Sequence, residues 1–281
     1  MKFRMLLTLL LGAAGLALAA GEKKGESPSE AFMKVFEASR NLDYGALADL
    51  SCGEAKEKMQ KYASVYAHAK KLAADGDEKM QRILDKTSAG FQNWQVEIAG
   101  EKIDVDFAAV YYVSSGTPYD RGDYGMARFK KVGGEWKIVA DSEYLKERAF
   151  AVEAGKTGGD TPSQVVAKLG EALRTCDIDA IPGLCYGTEK AKVLNAADRF
   201  AVLSCAAKKG NPKAQKDLKK FMEALPRKSE IRGEKIDGDL AVVDVIFENV
   251  SDPQYLKKIG GEWKIIGKET YDKEKAARKG R

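Results

Sequence analysis

The apolar positions of this chain change period in the same order twice. From Ser27, the residues Ala31, Phe32, Val35 and Phe36 recur on one helix face; from Thr161, the residues Val165, Val166, Leu169 and Leu173 do the same. Each run follows a start signal, Ser27-Pro28-Ser29-Glu30 or Thr161-Pro162-Ser163-Gln164. A hydroxyl there caps the exposed amides, proline suits the first turn, and Glu or Gln three residues on completes a capping box. A short helical segment comes next in each copy, with Asp43 and Asp177 as its capping candidates. The pattern then predicts a long third helix carrying Met59, Tyr62, Tyr66, Ala69 and Ala73, matched by Leu194, Ala197, Ala201, Ser204 and Ala207. A further amphipathic segment surrounds Met80, Ile83 and Leu84 in one copy and Leu218, Phe221, Met222 and Leu225 in the other.

After these helices the period becomes two. The stretch from Gly100 to Val110 matches that from Gly233 to Val243 as a turn and strand. Both copies then reach a nearly identical hairpin, Lys130 to Val139 and Lys257 to Ile266, built on Gly133-Gly134-Glu135-Trp136 and Gly260-Gly261-Glu262-Trp263. Paired glycines between β-prone segments supply the positive φ angles of a tight primed turn. Helices followed by antiparallel strands, twice, predict an α+β protein of two tandem cone-like modules, each with N-terminal helices packed on a curved antiparallel sheet. The modules span 27–148 and 161–271. A Gly-rich linker at 149–160 reads as a flexible joint, and 272–281 as a basic solvated tail. In the long helix, Tyr62 to Lys71 aligns with Phe200 to Lys209, which sets His68 opposite Ala206. The first copy alone carries a loop from Ser114 to Gly125.

The amino terminus changes the setting. A basic start at Lys2 and Arg4, an apolar run from Met5 to Leu11 and the small residues Ala17-Leu18-Ala19 form a signal-peptide pattern over residues 1–19. The expected product is periplasmic or secreted, with no integral membrane segment after signal removal. Loss of Lys2 and Arg4 lowers the formal net charge from +5 to +3. Lysines are interspersed with carboxylates, which suits a mixed solvated surface and argues against nucleic-acid binding. Export permits disulfides, and of the four cysteines, Cys176, Cys185 and Cys205 fall in the second copy. A Cys185–Cys205 bridge is the favoured pairing, Cys176 the competing partner, and free thiols the alternative. No spacing forms a C-x-x-C motif.

Taken together, the Ser-Pro start, the Asp43-Tyr44 pair, the strand from Gly100 to Val110 and the Gly-Gly-x-Trp-Lys hairpin resemble a named group. They are similar to exported domains of unknown function described as lumazine-binding-like, within the nuclear transport factor 2-like (ketosteroid-isomerase-like) superfamily. The resemblance covers 27–145 and 161–271. It implies modules with an interior that is either filled or hollow, and an internal pseudo-dimer of the two copies. Fold carries no activity across such a superfamily.

Candidate chemistry is sparse. His68 is the one histidine, which disfavours Ser-His-Asp or Cys-His catalysis, and no metal or cofactor is expected. Asp104 and Asp106, repeated as Asp237 and Asp239, read as solvated acids at a strand end. Asp244 stands in an apolar strand where the first copy has Tyr111; either its face is exposed or meets the other module, or it is a buried carboxyl with a raised pKa. Gly155-Lys156-Thr157 lacks the upstream glycine of a phosphate loop, since Phe150 holds that position. Arg121-Gly122-Asp123 is a chance tripeptide, and Asn249-Val250-Ser251 is a glycosylation sequon only under eukaryotic export. Tyr62, Tyr66 and Phe200 on the long helices, with Trp136 and Trp263 on the last strands, converge either as core or as an apolar pocket with polar handles. The expected function is therefore an exported, non-catalytic binding or interaction protein of the cell envelope, its partner an unknown protein or small apolar ligand. The alternatives are a small apolar ligand carrier, or an isomerase- or cyclase-like enzyme using Asp244.

Overall fold

A computed structural model describes residues 25–116, 124–150 and 157–279. The expected leader, the Arg121-Gly122-Asp123 tripeptide and linker residues 151–156 lie outside them. The chain is α+β, with two antiparallel sheets, each preceded by helices. In the first module, helices α1 (Pro28–Arg40), α2 (Tyr44–Asp49), α3 (Gly53–Ala74) and α4 (Glu78–Gln92) precede strands β1 (Gln95–Asp104), β2 (Phe107–Ser115), β3 (Tyr124–Val132) and β4 (Glu135–Ile138), and α5 (Asp141–Phe150) follows. The second module repeats the order with α6 (Pro162–Thr175), a 3-10 turn (Ile178–Ala180), α7 (Ile181–Leu184), α8 (Gly187–Lys208) and α9 (Pro212–Ala224). Its strands are β5 (Ser229–Asp237), β6 (Leu240–Phe247), β7 (Val250–Ser251), β8 (Gln254–Ile259) and β9 (Glu262–Ile266), closed by α10 (Lys268–Lys279).

The local signals act as their chemistry requires. Ser27 Oγ accepts from the Glu30 amide at 3.2 Å while Glu30 accepts from the Ser27 amide at 2.7 Å, and Thr161 with Gln164 builds the same reciprocal box. Asp43 caps α2 through the Ala46 amide, whereas Asp177 makes no side-chain cap. The two Gly-Gly turns hold φ of +60° and +89°, and of +58° and +89°, and join β3 to β4 and β8 to β9. The first sheet is the meander β1-β2-β3-β4; the second runs β5-β6-β8-β9, with β7 paired to β6. On one face of the first sheet, Ala108, Val110, Phe129 and Trp136 pack against Ala31, Phe32 and Val35 of α1. The matching face of the second packs Ala241, Val243, Leu256 and Trp263 against Val165 and Val166 of α6.

Four expectations are corrected. First, the long helices pair four residues away from the sequence alignment. Positive-φ glycines open both helices, Gly53 and Gly187, and follow both, Gly76 and Gly210, so Tyr66 corresponds to Phe200 and His68 to Val202. Second, residues 268–279 form α10, anchored by Tyr271, which is buried against Leu240 and Ile266; the basic stretch after it is helical, with residues 272–279 exposed or half-buried. Third, Thr157 to Asp160 do not form a free joint. Gly159 bridges Trp263, and Lys168 Nζ donates to the Gly158 carbonyl at 2.5 Å. Fourth, all four cysteines are free. Cys185 and Cys205 lie near opposite ends of α8; the helical rise between Gly187 and Cys205 alone is about 27 Å, against the roughly 4.4–6.8 Å between Cα atoms that a disulfide spans. Cys176 occupies the left-handed C-cap of α6, with φ of +58°.

The modules pack against each other, but not as a pseudo-dimer. A two-fold contact would use the same patch twice. Here α8 of the second module lies on the outer face of the first sheet, against β1, β2, β3 and α5. Val202, Ala201 and Cys205 meet Ala109, Tyr111, Tyr124 and Met126. In their midst Arg128, with its side chain fully buried, donates to Asp198 from Nε at 3.2 Å and from Nη2 at 2.9 Å, and to Asn195 Oδ1 at 3.0 Å. Its remaining nitrogen Nη1 is 3.1 Å from the exposed Asp141 carboxylate. The Tyr144 ring carries both Arg128 and Arg148 over it, at 5.1 and 5.3 Å. Rim contacts add Lys102 with Asp179, Lys209 with Glu97, and Tyr124 Oη donating to Asp217 at 2.9 Å. The equivalent surfaces at the two ends of the molecule do not repeat this chemistry. Tyr111, Met126 and Arg128 become Asp244, Pro253 and Tyr255 on the second sheet, and Asp198, Val202 and Cys205 become Ser64, His68 and Lys71 on α3.

Candidate functional site

The same asymmetry opens the first module. In the second, α8 is pressed between its own core and the neighbouring sheet. Phe200 of α8 meets Phe221 of α9 with ring centroids 5.3 Å apart, and Phe221, Leu225 and Val193 close over the core. The space left there is about 240 Å³. In the first, among the described residues, α3 has α2 and α4 as its principal neighbours and buries no residue. At the position of Phe221, α4 carries Thr87, whose hydroxyl turns back to the Ile83 carbonyl at 2.8 Å. With the outer helix unpressed and one filling ring absent, an open cleft of about 1160 Å³ lies between α3 and α4 on one side and α1, α2 and β4 on the other.

Its walls are apolar. Met59, Tyr62, Tyr66 and Ala69 come from α3, and Met80, Ile83, Leu84 and Phe91 from α4. These recur three and four residues apart, which puts each set on one helix face. Tyr44 of α2 meets the rings of Tyr62 and Tyr66 edge-on at 6.0 and 5.3 Å. Trp94, at the floor, packs between Phe36 and Phe91, and its buried Nε1–H has no hydrogen-bond acceptor among the described residues. Tyr62 and Ile83 remain 42% and 48% exposed, too much for rings and branches seated in a finished core. Polar groups collect at one end: Ser142 Oγ donates to Glu54 Oε2 at 2.9 Å, the Glu143 carboxylate accepts from the Glu54 amide at 3.1 Å, and Lys58 stands one turn further along α3.

The sequence-derived pocket residues separate. Tyr62 and Tyr66 line the cleft, whereas Trp136 and Trp263 are buried in the two cores and Phe200 fills the second module. Asp244 is exposed on the outer face of β6, in none of these cavities, so the enzyme alternative loses its named residue. His68 is exposed on α3. Asp104 and Asp239 lie at strand ends and pair with Arg148 and Arg278. Among the described residues no cluster of three His, Cys, Asp or Glu side chains is set to hold a metal, and no helix is long and apolar enough to cross a membrane. Sequence reasoning missed Tyr44, Thr87, Phe91 and Trp94 as cleft residues. The available signal was Thr87, a polar residue on the apolar face of one helix where its repeat partner has Phe221.

Burial shifts two groups at the module interface. Burial pushes the Asp198 carboxyl up, with the Arg128 charge pulling against it. Burial likewise raises the Tyr111 phenol, which is 3% exposed and has no hydrogen-bond partner among the described residues, and nearby Asp198 adds to the shift. This is a structural lock: a buried ion pair that is satisfied only when α8 is docked. Comparison with protein-family models, with curated proteins and with solved structures gives no match for this chain.

Proposed function

We propose that this is a non-catalytic binding protein whose first module takes an apolar ligand in the cleft between α1 and the α3–α4 pair, while the second module serves as the rigid support. The observation that carries this reading is the contrast between repeats: about 1160 Å³ of apolar, aromatic- and methionine-lined space in one, about 240 Å³ at the equivalent place in the other. A duplicated core that stays packed in one copy and opens in the other has given up burial energy, and a ligand restores it. Methionines and tyrosines suit such a wall because they adapt to an apolar surface or keep a polar tip at its edge. The signal-peptide pattern makes the cell envelope the proposed setting, and the repeated order of helices then antiparallel sheet supports the proposed nuclear transport factor 2-like assignment.

The test is titration of the full chain with an environment-sensitive apolar fluorophore. Wild type is expected to bind and Thr87→Phe, which copies the second module, to bind at least about tenfold more weakly. Failure of the wild type to bind, or unchanged binding by Thr87→Phe in a folded protein, overturns the reading.

A further inference from the structure

The cleft is polarised along its length, and its polar end is acidic. Glu54 and Asp141 line that end. Glu143 stands beside them on the amino terminus of α3, where its carboxylate accepts from the Glu54 amide at 3.1 Å. Two of the three are offset in part: Glu143 by the positive end of the α3 dipole, and Asp141 by Arg128, which also serves Asp198. Glu54 forms no ion pair among the described residues; its carboxylate accepts from the neutral Ser142 hydroxyl at 2.9 Å. Lys58, four residues on, rests over the Tyr62 ring instead. Lys130 and Lys137, near Cys52 at the start of α3, are paired with Glu147 and Glu135. The end therefore carries a net negative charge. Beyond it the walls from α3 and α4 are apolar, and from Lys58 to Ala69 the helical rise is about 16 Å, so the apolar part is elongated.

We propose that the cleft takes a single-chain cationic amphiphile, its hydrocarbon lying along α3 and α4 and its one ammonium group meeting Glu54 and Asp141. That ligand rests on the reading of the cleft as a binding site and adds its chemical class. An anionic head would be repelled by these carboxylates, and a neutral one would leave Glu54 without a counter-charge. The tyrosines of the wall suit the same group. Two ammonium groups already rest on them, Lys58 on Tyr62 and Lys70 on Tyr66, at 5.9 and 4.8 Å from the ring centroids. Charge confined to one end also matches a molecule polar at one tip, whereas an amphipathic helix is polar along a whole side and calls for partners along the rim. Because Glu54 and Asp141 are exposed, solvent screens the pairing, which amounts to about a two- to fivefold preference.

The experiment displaces the bound apolar fluorophore from the full chain, below micelle-forming concentrations, with dodecylammonium, dodecanol, dodecanoate and a basic amphipathic helical peptide. At low salt dodecylammonium is expected to displace at about two- to fivefold lower concentration than dodecanol, and dodecanoate at higher concentration than either. The ammonium margin should shrink as salt is raised. Glu54→Gln is expected to narrow that margin and Lys58→Met, which removes the competing cation, to widen it. Glu57→Gln, an equal charge change on α3 outside the cleft lining, should leave it as it is. Equal displacement by ammonium and alcohol in the wild type overturns the cationic assignment, as does a carboxylate that matches the ammonium. So does a margin that survives Glu54→Gln or falls as far in Glu57→Gln, or tighter displacement by the peptide. In each of these cases the fluorophore still binds and the apolar-cleft reading stands. If the fluorophore does not bind at all, both fall.

Discussion

Removing the Asp198 carboxylate tests whether the two modules are held together as described. In Asp198→Ala, Arg128 keeps a fully buried side chain but loses the acceptor bonded to Nε and Nη2. Breaking one side of a buried pair costs about 3–5 kcal/mol, because an uncompensated charge stays in the interior. Two groups soften the loss: Asn195 Oδ1, 3.0 Å from Nη2, and the exposed Asp141, 3.1 Å from Nη1. The expected cost is therefore at the lower end, about 3 kcal/mol. At about 2–4 °C per kcal/mol for domains of 150–250 residues, that corresponds to a fall of roughly 6–12 °C in melting temperature. Thermal and urea unfolding of the full chain measure it, and the double variant Arg128→Met/Asp198→Leu, which removes both charges, should recover most of the loss. A cost under about 1 kcal/mol for Asp198→Ala, or a double variant as unstable as the single, would refute the argument. The pH dependence has a definite sign. The folded-state value of Asp198 is raised above the ordinary 3.8, so the native state holds this proton more tightly than the unfolded chain does. Its contribution is complete below the unfolded-chain value and is lost as pH rises through the folded one. Wild-type stability relative to Asp198→Asn should therefore decline across that window, and a relative gain with rising pH would contradict it.

Two further outcomes follow from the same packing. A side chain at Gly100 would bring its Cβ to 3.1 Å from Cys205 Sγ; Gly100→Ala should cost about 1–3 kcal/mol in urea unfolding as an overpacked contact, and Cys205→Ala in the same chain should recover much of it. A thiol reagent added without reductant should count four thiols in the denatured protein, and in the native protein the buried Cys185 should react last.

Both repeats, their capping boxes, their glycine turns and the class of fold were legible in the sequence, because each depends on residues close together along the chain. A Ser-Pro-Ser-Glu start or a Gly-Gly turn carries its own geometry wherever it is placed. The register of the long helices was not, since a four-residue shift returns nearly the same face and leaves the apolar pattern almost unchanged; only the glycines at both ends of α3 and α8 settle it. Nor was the contact between modules. The repeats looked symmetric, while Arg128, set between Ala127 and Phe129 in an apolar strand, finds its counter-charge 70 positions away on α8. That meeting presses α8 down and closes the second interior. α3, with Ser64 and His68 where α8 has Asp198 and Val202, has no sheet against its outer face among the described residues, and its side of the first module stays open. Local sequence determined the parts of this protein and placed Thr87 where the second copy has Phe221, and tertiary packing decided the rest of which interior is filled, because that depends on what lies against the back of one helix.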